Sequence, residues 1–463
     1  MIFDGFALLS KDRMIPFHYE NNYLELFLEG SPFTFEEGLT VVIGKKRGMM
    51  TGGLILFHLA LPLENYGTFK TKNEEGIPQE VPILIGTVRQ EVDFYIDGYV
   101  DDSKFTKMEF SFAELEYFLP SSKMCNYFHE DKHVEFIGSP EVIKCFKFDY
   151  KGRAVTLTLK LFNSFKVSNK CHAETESRLV FEFDETDDYS FFLDLYYLVH
   201  SFFSFLCNRQ NIALERAVLI GKSMCKGYTR PDGTNIIKEK KIPVSSEFNV
   251  INKYKDEKED SKVIAKTIRY NILSSSFEGL FSLFLKDNVS ISSIHSSRVA
   301  RNLLDLKQCL QITAAFEYYQ RTFLPEISSD ETIQVYDEIR SLVEEYANTQ
   351  SGKKKKKALR LLNTINPTIS LQDKICKVYY GYDNWSGLLP ILSEYFGDNI
   401  SGLASVANLW RNELAHEKRE YEPDQNVITA IRLVEHLNYC IVLRQAGYTD
   451  DEIKVILGDI LTR

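Results

Sequence analysis

At about residue 245 the apolar pattern of this chain changes period, and that switch limits the fold more than any single motif does. Upstream, short β-prone runs recur: two around a Gly-rich basic turn in LTVVIGKKRGMMTGGLILFHLAL (Leu39 to Leu61), then VPILIGTV, VDFYIDGYV, KCFKFDY, AVTLTLKLF and SRLVFEFD. Several alternate apolar and polar residues, as half-buried antiparallel strands do. The stretch from Asn211 to Leu219 also reads as strand, followed by a turn or loop at Gly227 to Gly233. Downstream, apolar residues recur every third or fourth position, the period of an amphipathic helix. In Arg298 to Phe323 one series runs Leu303, Leu306, Leu310 and another Cys309, Ile312, Phe316, Tyr319, Phe323, with Pro325 as the stop. Further helices are expected from about Asp330 to Ala347, Lys354 to Leu362, Ser370 to Tyr379, Asn399 to Ala415, Asp424 to Ala446 and Asp450 to Leu461. Asp424 serves the longest of these as N-cap and Gly447 as its stop. The fold class is therefore α+β and multidomain, a strand-rich N-terminal domain followed by an all-α bundle. With 463 residues the chain exceeds one ordinary core. The expected division is a strand-rich domain at 1–245, a connecting segment with helices at 246–297, and a helical domain at 298–463, with the charge-dense run Asn252 to Lys262 as linker or exposed helix start.

One segment imitates a membrane span, YSFFLDLYYLVHSFFSFLC from Tyr189 to Cys207. Asp194 and His200 inside it, and Asp187 and Asp188 before it, are costly in lipid, so it reads as a long aromatic core helix and no membrane is expected as a partner. The N-terminus has no basic start followed by an apolar stretch and a small-residue cleavage site. Eight scattered cysteines without a Cys-x-x-Cys pair read as reduced thiols, which makes the expected location cytoplasmic. Acidic residues outnumber basic ones, 65 to 55, so a nucleic acid would need a local basic patch rather than the whole surface.

The functional signal lies in Leu-Trp-Arg-Asn-Glu-Leu-Ala-His (Leu409 to His416). Arg411 supplies a permanent cation with a donor fork matched to phosphate, and His416 can exchange a proton near neutral pH. Leu403, Ala407, Trp410 and Leu414 follow 4, 3, 4 spacing and should face the core. Arg411 and His416, five residues apart, diverge by about 140° on an ideal helix. Either His416 lies where the helix ends and the chain bends, or two copies of the motif meet across a dimer interface. Glu317 is close in phase to Leu303, Leu306 and Leu310, a carboxylate at the edge of an apolar face that needs a partner, and so a candidate to hold Arg411 or His416. Five consecutive lysines, Lys353, Lys354, Lys355, Lys356 and Lys357, read as a solvated helix start or as an electrostatic guide for a polyanion. Gly-Lys-Ser (Gly221 to Ser223) lacks the upstream half of a P-loop. His129 and His133 are four apart without a third ligand pattern, and His200, His295 and His436 have no evident companions, so neither a metal nor another cofactor is expected.

Arg-Asn-x-x-x-His, in the penultimate long helix region of an all-α C-terminal segment, resembles the Arg-x4-6-His signature of HEPN domains, with Asn412 where that superfamily usually has a polar residue. The strand-rich region, the aromatic helix and then FLCNRQNIALERAVLIGK (Phe205 to Lys222) resemble the ApeA-type N-terminal domain that accompanies Apea-like HEPN domains. The resemblance covers nearly the whole chain. It implies a metal-independent endoribonuclease, dimeric or higher, acting in bacterial defence against phage of the abortive-infection type. His416 would then act as general base or acid at the 2′-hydroxyl or the departing 5′-oxygen, Arg411 would neutralise charge at phosphorus, and Asn412 would orient the histidine or a phosphate oxygen. The RNA would be a tRNA or an mRNA, and a phage-derived trigger would release the activity. Two alternatives stand beside it: a non-catalytic HEPN-like dimerisation module that binds a nucleotide, nucleic acid or protein, with Arg411 as phosphate anchor; and a ligand-binding strand-rich half with the helices as an oligomerisation platform.

Overall fold

A computed structural model of the chain describes residues 2–10, 13–33, 40–46, 54–61, 67–72, 78–121, 125–128, 133–136, 140–167, 171–214, 216–225, 228–229, 235–237, 240–251, 259–327, 330–362, 369–415 and 423–460. It divides into two units, one of residues 1–203 with 211–265 and one of residues 204–210 with 266–463.

The first unit begins with β1 (Phe3–Ser10), β2 (Arg13–Glu20), β3 (Tyr23–Phe33), β4 (Val41–Lys46), β5 (Leu54–Leu59), β6 (Gly67–Lys72) and β7 (Pro78–Tyr99). Six of these pair antiparallel in the order β7-β3-β2-β1-β4-β5, and β5 pairs back onto β7, so the ring closes into a barrel. Closure leaves no unpaired edge within the ring. Alternate residues point inward, and Ala7, Ile15, Phe17, Leu24, Val42 and Phe57 fill the interior. Gly44 is required there, because a Cβ on it would lie 2.6 Å from the Phe17 ring. The runs VPILIGTV and VDFYIDGYV, read as separate strands, are one 22-residue strand. The reason is long-range: β7 pairs with β6 and β3 along its first part and with β5 along its second.

From β7 an open sheet continues through β8 (Lys104–Phe110), β11 (Glu141–Tyr150), β12 (Arg153–Val167), β13 (Cys171–Thr186), β14 (Arg216–Cys225) and β17 (Lys240–Val250), in the order β11-β12-β13-β8-β14-β17-β7. Two short ladders lie off it, β9 (Cys125–Phe128) with β10 (His133–Phe136), and β15 (Tyr228–Thr229) with β16 (Asn235–Ile237). The strand expected from Asn211 starts only at Arg216. Two short helices, α1 (Ala113–Phe118) and α3 (Ser261–Ile264), complete the unit with residues 189–203 of α2 (Tyr189–Cys207). Asp188 caps α2, accepting from the Ser190 hydroxyl at 2.6 Å and the Phe191 N–H at 3.3 Å. The Ser190 bond is the largest influence holding this carboxyl below its ordinary range. Phe192 then packs 5.7 Å from Phe105 and 5.8 Å from Phe183, and Phe203 lies 4.7 Å from Phe112. The acidic residues that argued against a membrane span thus start a helix whose rings cover the sheet. Both α2 and the later helix Gln425–Gln445 are long and apolar enough to cross a membrane, and both are mostly buried in the protein.

The second unit contains α4 (Tyr270–Leu273), α5 (Phe277–Leu285), α6 (Arg298–Leu303), α7 (Leu306–Phe323), α8 (Asp330–Thr349), α9 (Gly352–Leu362), α10 (Leu371–Tyr380), α11 (Leu389–Phe396), α12 (Ser401–Ala415), α13 (Gln425–Gln445) and α14 (Asp450–Ile460). Its axis is α13, flanked by α7 and α12, with α5 and α14 against it as well. Asp424 caps α13 by accepting from the Val427 N–H at 3.0 Å, and Gly447 leaves it at φ +98°. The expected helix over Arg298 to Phe323 is two. Leu304 takes φ +31°, and the Asp305 carboxylate accepts from the Gln308 N–H at 2.6 Å to start α7. A side chain able to cap the next turn outcompetes continuation. Leu303 in consequence is 74% exposed and outside the stripe, while Cys309, Ile312, Phe316 and Tyr319 are buried as their spacing requires. Residues 252–258 of the expected linker lie outside the described residues.

Candidate functional site

On α12, Ala404, Ala407 and Trp410 are buried, with Leu403 and Leu414 half-buried beside them. That contact with the core sets the rotation of the helix and places Asn408, Arg411 and Asn412 along its adjoining polar edge. There α12 meets α7 and α10. The three helices border an open cavity of about 990 Å³. Its polar lining includes Glu317 and Arg321 from α7, Lys374 from α10, and Asn408, Arg411 and Asn412; Leu324, Ile327 and Leu371 supply apolar wall.

Glu317 organises the cations. Its Oε2 accepts from Arg411 Nη2 at 2.9 Å and its Oε1 from Lys374 Nζ at 3.2 Å, so each carboxylate oxygen holds one charge. Arg411 Nη1 also donates to Asn412 Oδ1 at 3.2 Å. Of the five N–H groups of a guanidinium, these bonds to described residues use two. Three basic side chains, Arg321, Lys374 and Arg411, face two acidic ones, Glu317 and Glu326, in the lining. The cavity is therefore slightly cationic although the chain carries a formal charge of −10. Ser370 starts α10 by accepting from the Asp373 N–H at 3.1 Å, which brings that helix's N-terminal end to the cavity.

Of the residues singled out in the sequence, Arg411, Asn412 and Glu317 come together. His416 lies outside the described residues, as do residues 417–422. Lys353 to Lys357 occupy the first turns of α9, exposed, and none of them lines the cavity. His129 lies outside the described residues and His133 sits in β10. Lys374, Arg321 and Asn408 were not anticipated. Asn408 carried a signal, since it stands three and four residues before Arg411 and Asn412 on one helix edge; Lys374 and Arg321 carried none.

His295 and His436 do have companions. Glu435, 5% exposed on α13, accepts from His295 Nε2 at 3.1 Å and Asn208 Nδ2 at 2.7 Å, with Arg301 Nε 3.8 Å away. Burial pushes its carboxyl up, but the His295 hydrogen bond and the charges of His295 and Arg301 outweigh this and hold it well below the usual carboxylate range. The cluster is closed off and joins α13 to residues 204–210 and 295–301 of the same unit. Beside it His436 donates from Nδ1 to the Arg432 carbonyl at 2.7 Å and packs against Tyr395 and Phe396. Burial pushes this imidazole down to about 4. Between pH 6.5 and 4 the unfolded chain then takes up a proton that the folded one refuses, so stability falls as pH falls, by on the order of 3 kcal/mol in all. Urea titrations at pH 7, 6 and 5, followed by tryptophan fluorescence, check this. Trp385 and Trp410 are the chain's two tryptophans and both report on the second unit. The expected result is a midpoint that drops with pH and a flatter dependence in His436→Gln.

Compared with known families, residues 63–221 match the model for ApeA N-terminal domain 1. The match runs across β7, the open-sheet strands β8 and β11–β13, α2 and the start of β14, so the chain carries an ApeA-like N-terminal domain. No curated protein and no solved structure matches the chain.

Proposed function

We propose that the chain is a metal-independent endoribonuclease of bacterial anti-phage defence, with a HEPN-like helical unit that cuts RNA at the α7–α10–α12 cavity and an ApeA-like domain that senses infection or restrains the nuclease. The observation that carries this reading is Arg411, held by Glu317 beside Asn412 and Lys374 on the wall of an open cationic cavity. A phosphodiester seated there meets a guanidinium oriented before it arrives, which is how developing charge at phosphorus is stabilised without reorganisation. His416, at position 1 after the last residue of α12, supplies proton transfer to and from the 2′-hydroxyl and the leaving 5′-oxygen. Asn412 fixes the guanidinium plane, and Glu317 acts through Arg411 as a positioning residue. Attack by the 2′-hydroxyl yields a 2′,3′-cyclic phosphate and a 5′-hydroxyl and leaves DNA intact. The substrate is a tRNA or mRNA in the bacterial cytoplasm, the working form is a homodimer or higher homo-oligomer, and a phage-derived signal releases the activity.

The test is made in cells. Wild type, Arg411→Ala and His416→Ala are expressed in bacteria with and without phage at matched protein levels. Both variants are expected to lose protection and toxicity. A defect in Arg411→Ala alone favours the non-catalytic binding module, and full protection by both variants removes the site.

A further inference from the structure

The cavity at Arg411 extends past the phosphate position that the proposed reaction uses. At about 990 Å³ it lies at the upper end of the range for sites that hold a whole small molecule, far more than one phosphodiester fills. On α7 and its C-cap the lining runs Ala314, Glu317, Tyr318, Arg321 and Leu324, one stripe at helical spacing about 15 Å long. Arg411 and Lys374 attach to this stripe at Glu317. Arg321 comes one turn later, about 6 Å further along the same wall. Beyond it stand the apolar Leu324 and Ile327, with the exposed Glu326 between them in sequence.

Arg321 differs from the other two cations of the lining. Arg411 and Lys374 are each held by an oxygen of Glu317, whereas the exposed guanidinium of Arg321 makes no hydrogen bond or ion pair among the described residues. Its place in the last turn of α7 suits the helix dipole, a role that any cation there would fill. The dipole does not require the side chain to line a cavity one turn from a preorganised guanidinium. An unused donor fork matches the oxygens of a phosphate, and one helical turn, about 6 Å, is of the order of one nucleotide along an extended strand. The other charge at this end, Glu326, borders the same wall and opposes an anion there.

We propose that Arg321 binds the phosphate next to the scissile one, and that the nucleotide carrying it lies against Leu324 and Ile327. Arg321 is then a binding residue: it adds one ion pair to ground state and transition state alike, so it lowers KM and leaves kcat to Arg411. It also makes the site prefer a strand over a dinucleotide. The inference rests on the cavity being an RNA site.

Full-length wild type and variants are titrated with a fluorescein-labelled RNA dodecamer whose 2′-hydroxyls are all replaced by fluorine, which reads binding without cleavage. Steady-state cleavage is measured on the unmodified dodecamer and on a dinucleotide. Arg321→Ala is expected to weaken binding about 10-fold and to flatten the log–log salt dependence by about 0.7, the share of one single-strand phosphate contact. It should raise KM for the dodecamer by a similar factor with kcat unchanged, and KM for the dinucleotide much less. Arg321→Lys should recover most of the salt slope, and Glu326→Gln should tighten binding. A role confined to the helix dipole would lower the unfolding temperature and leave the salt slope unmoved. Unaltered affinity and slope in Arg321→Ala, or an equal loss on dodecamer and dinucleotide, overturns the proposal. If wild type binds the fluorinated dodecamer through Arg321 but cuts no RNA, the subsite stands and the nuclease reading falls. If wild type cuts the dodecamer with kinetics indifferent to Arg321, the nuclease reading stands and the subsite falls. Wild type without affinity for the dodecamer overturns both.

Discussion

If the proposed function holds, Arg411→Ala is expected to lower RNA cleavage by about 100- to 1000-fold, the range for removal of one preorganised donor to developing charge, and to leave the fold almost untouched. The separation of the two effects comes from geometry. Arg411 is about one-third exposed, and its partner Glu317 keeps Lys374 at 3.2 Å when the guanidinium is gone. No uncompensated charge is left in an apolar place, so the stability cost is that of a partly exposed ion pair, about 1 kcal/mol or less. Arg411→Lys should recover little, because an ammonium on a flexible stem cannot hold Glu317 and face a phosphate with a planar fork at once. Single-turnover cleavage of a labelled RNA, alongside thermal unfolding of the same preparations, separates lost chemistry from lost structure. Equal rates for wild type and Arg411→Ala would remove this residue from the reaction.

Glu435→Ala has the opposite signature: a large loss of stability at a residue that touches no cavity wall near Arg411. Its carboxylate is the shared partner of Asn208, His295 and Arg301 in the interior of the helical unit. Deleting it leaves two buried donors, on Asn208 and His295, without this acceptor and removes the charge facing the part-buried Arg301, a change that costs about 3–5 kcal/mol. For a unit of this size, that lowers the unfolding temperature by roughly 10 °C. Tryptophan fluorescence follows the transition in the helical unit, and a shift of a degree or two would mean that the cluster contributes little. Glu435→Gln should fall between, since it keeps an acceptor for Asn208 but surrenders the charge facing Arg301. Activity in this variant should track the folded fraction, which distinguishes it from Arg411→Ala.

How much of this was legible in the sequence depended on range. The switch from strands to helices, the caps at Asp424 and Gly447 and the burial of Cys309, Ile312, Phe316 and Tyr319 are local consequences of period and capping, and they were visible. The break at Leu304 and Asp305 was local as well but hidden, because the apolar spacing ran through it and an aspartate on a helix reads equally as a surface residue or a cap. Barrel closure was not legible, since it depends on β5 returning to the second part of β7, and nothing in either strand names the other. The candidate site divides the same way. Arg411 stood out by its chemistry, and Glu317 by its place at the edge of an apolar face, which foretold that it needed a partner. Their meeting across 94 positions of chain is a tertiary fact. Lys374 reaches the same carboxylate from α10, where its own neighbours give no hint of a site. Glu435 and His436 read as ordinary residues of a long helix until the segments carrying Asn208, His295 and Arg301 are seen around them.

Analysis of product ends tests whether Arg411 serves RNA cleavage by 2′-hydroxyl attack. Full-length wild type and Arg411→Ala, each purified from phage-challenged cells, are incubated with total RNA and with DNA in excess EDTA, and the product ends are identified. Wild type is expected to cut the RNA with the chelator present, to leave 2′,3′-cyclic phosphate and 5′-hydroxyl ends and to spare the DNA, and Arg411→Ala to leave the RNA uncut. Fragments ending in 5′-phosphate and 3′-hydroxyl, cleavage that disappears in EDTA and returns with a divalent ion, or undiminished cutting by Arg411→Ala would contradict it.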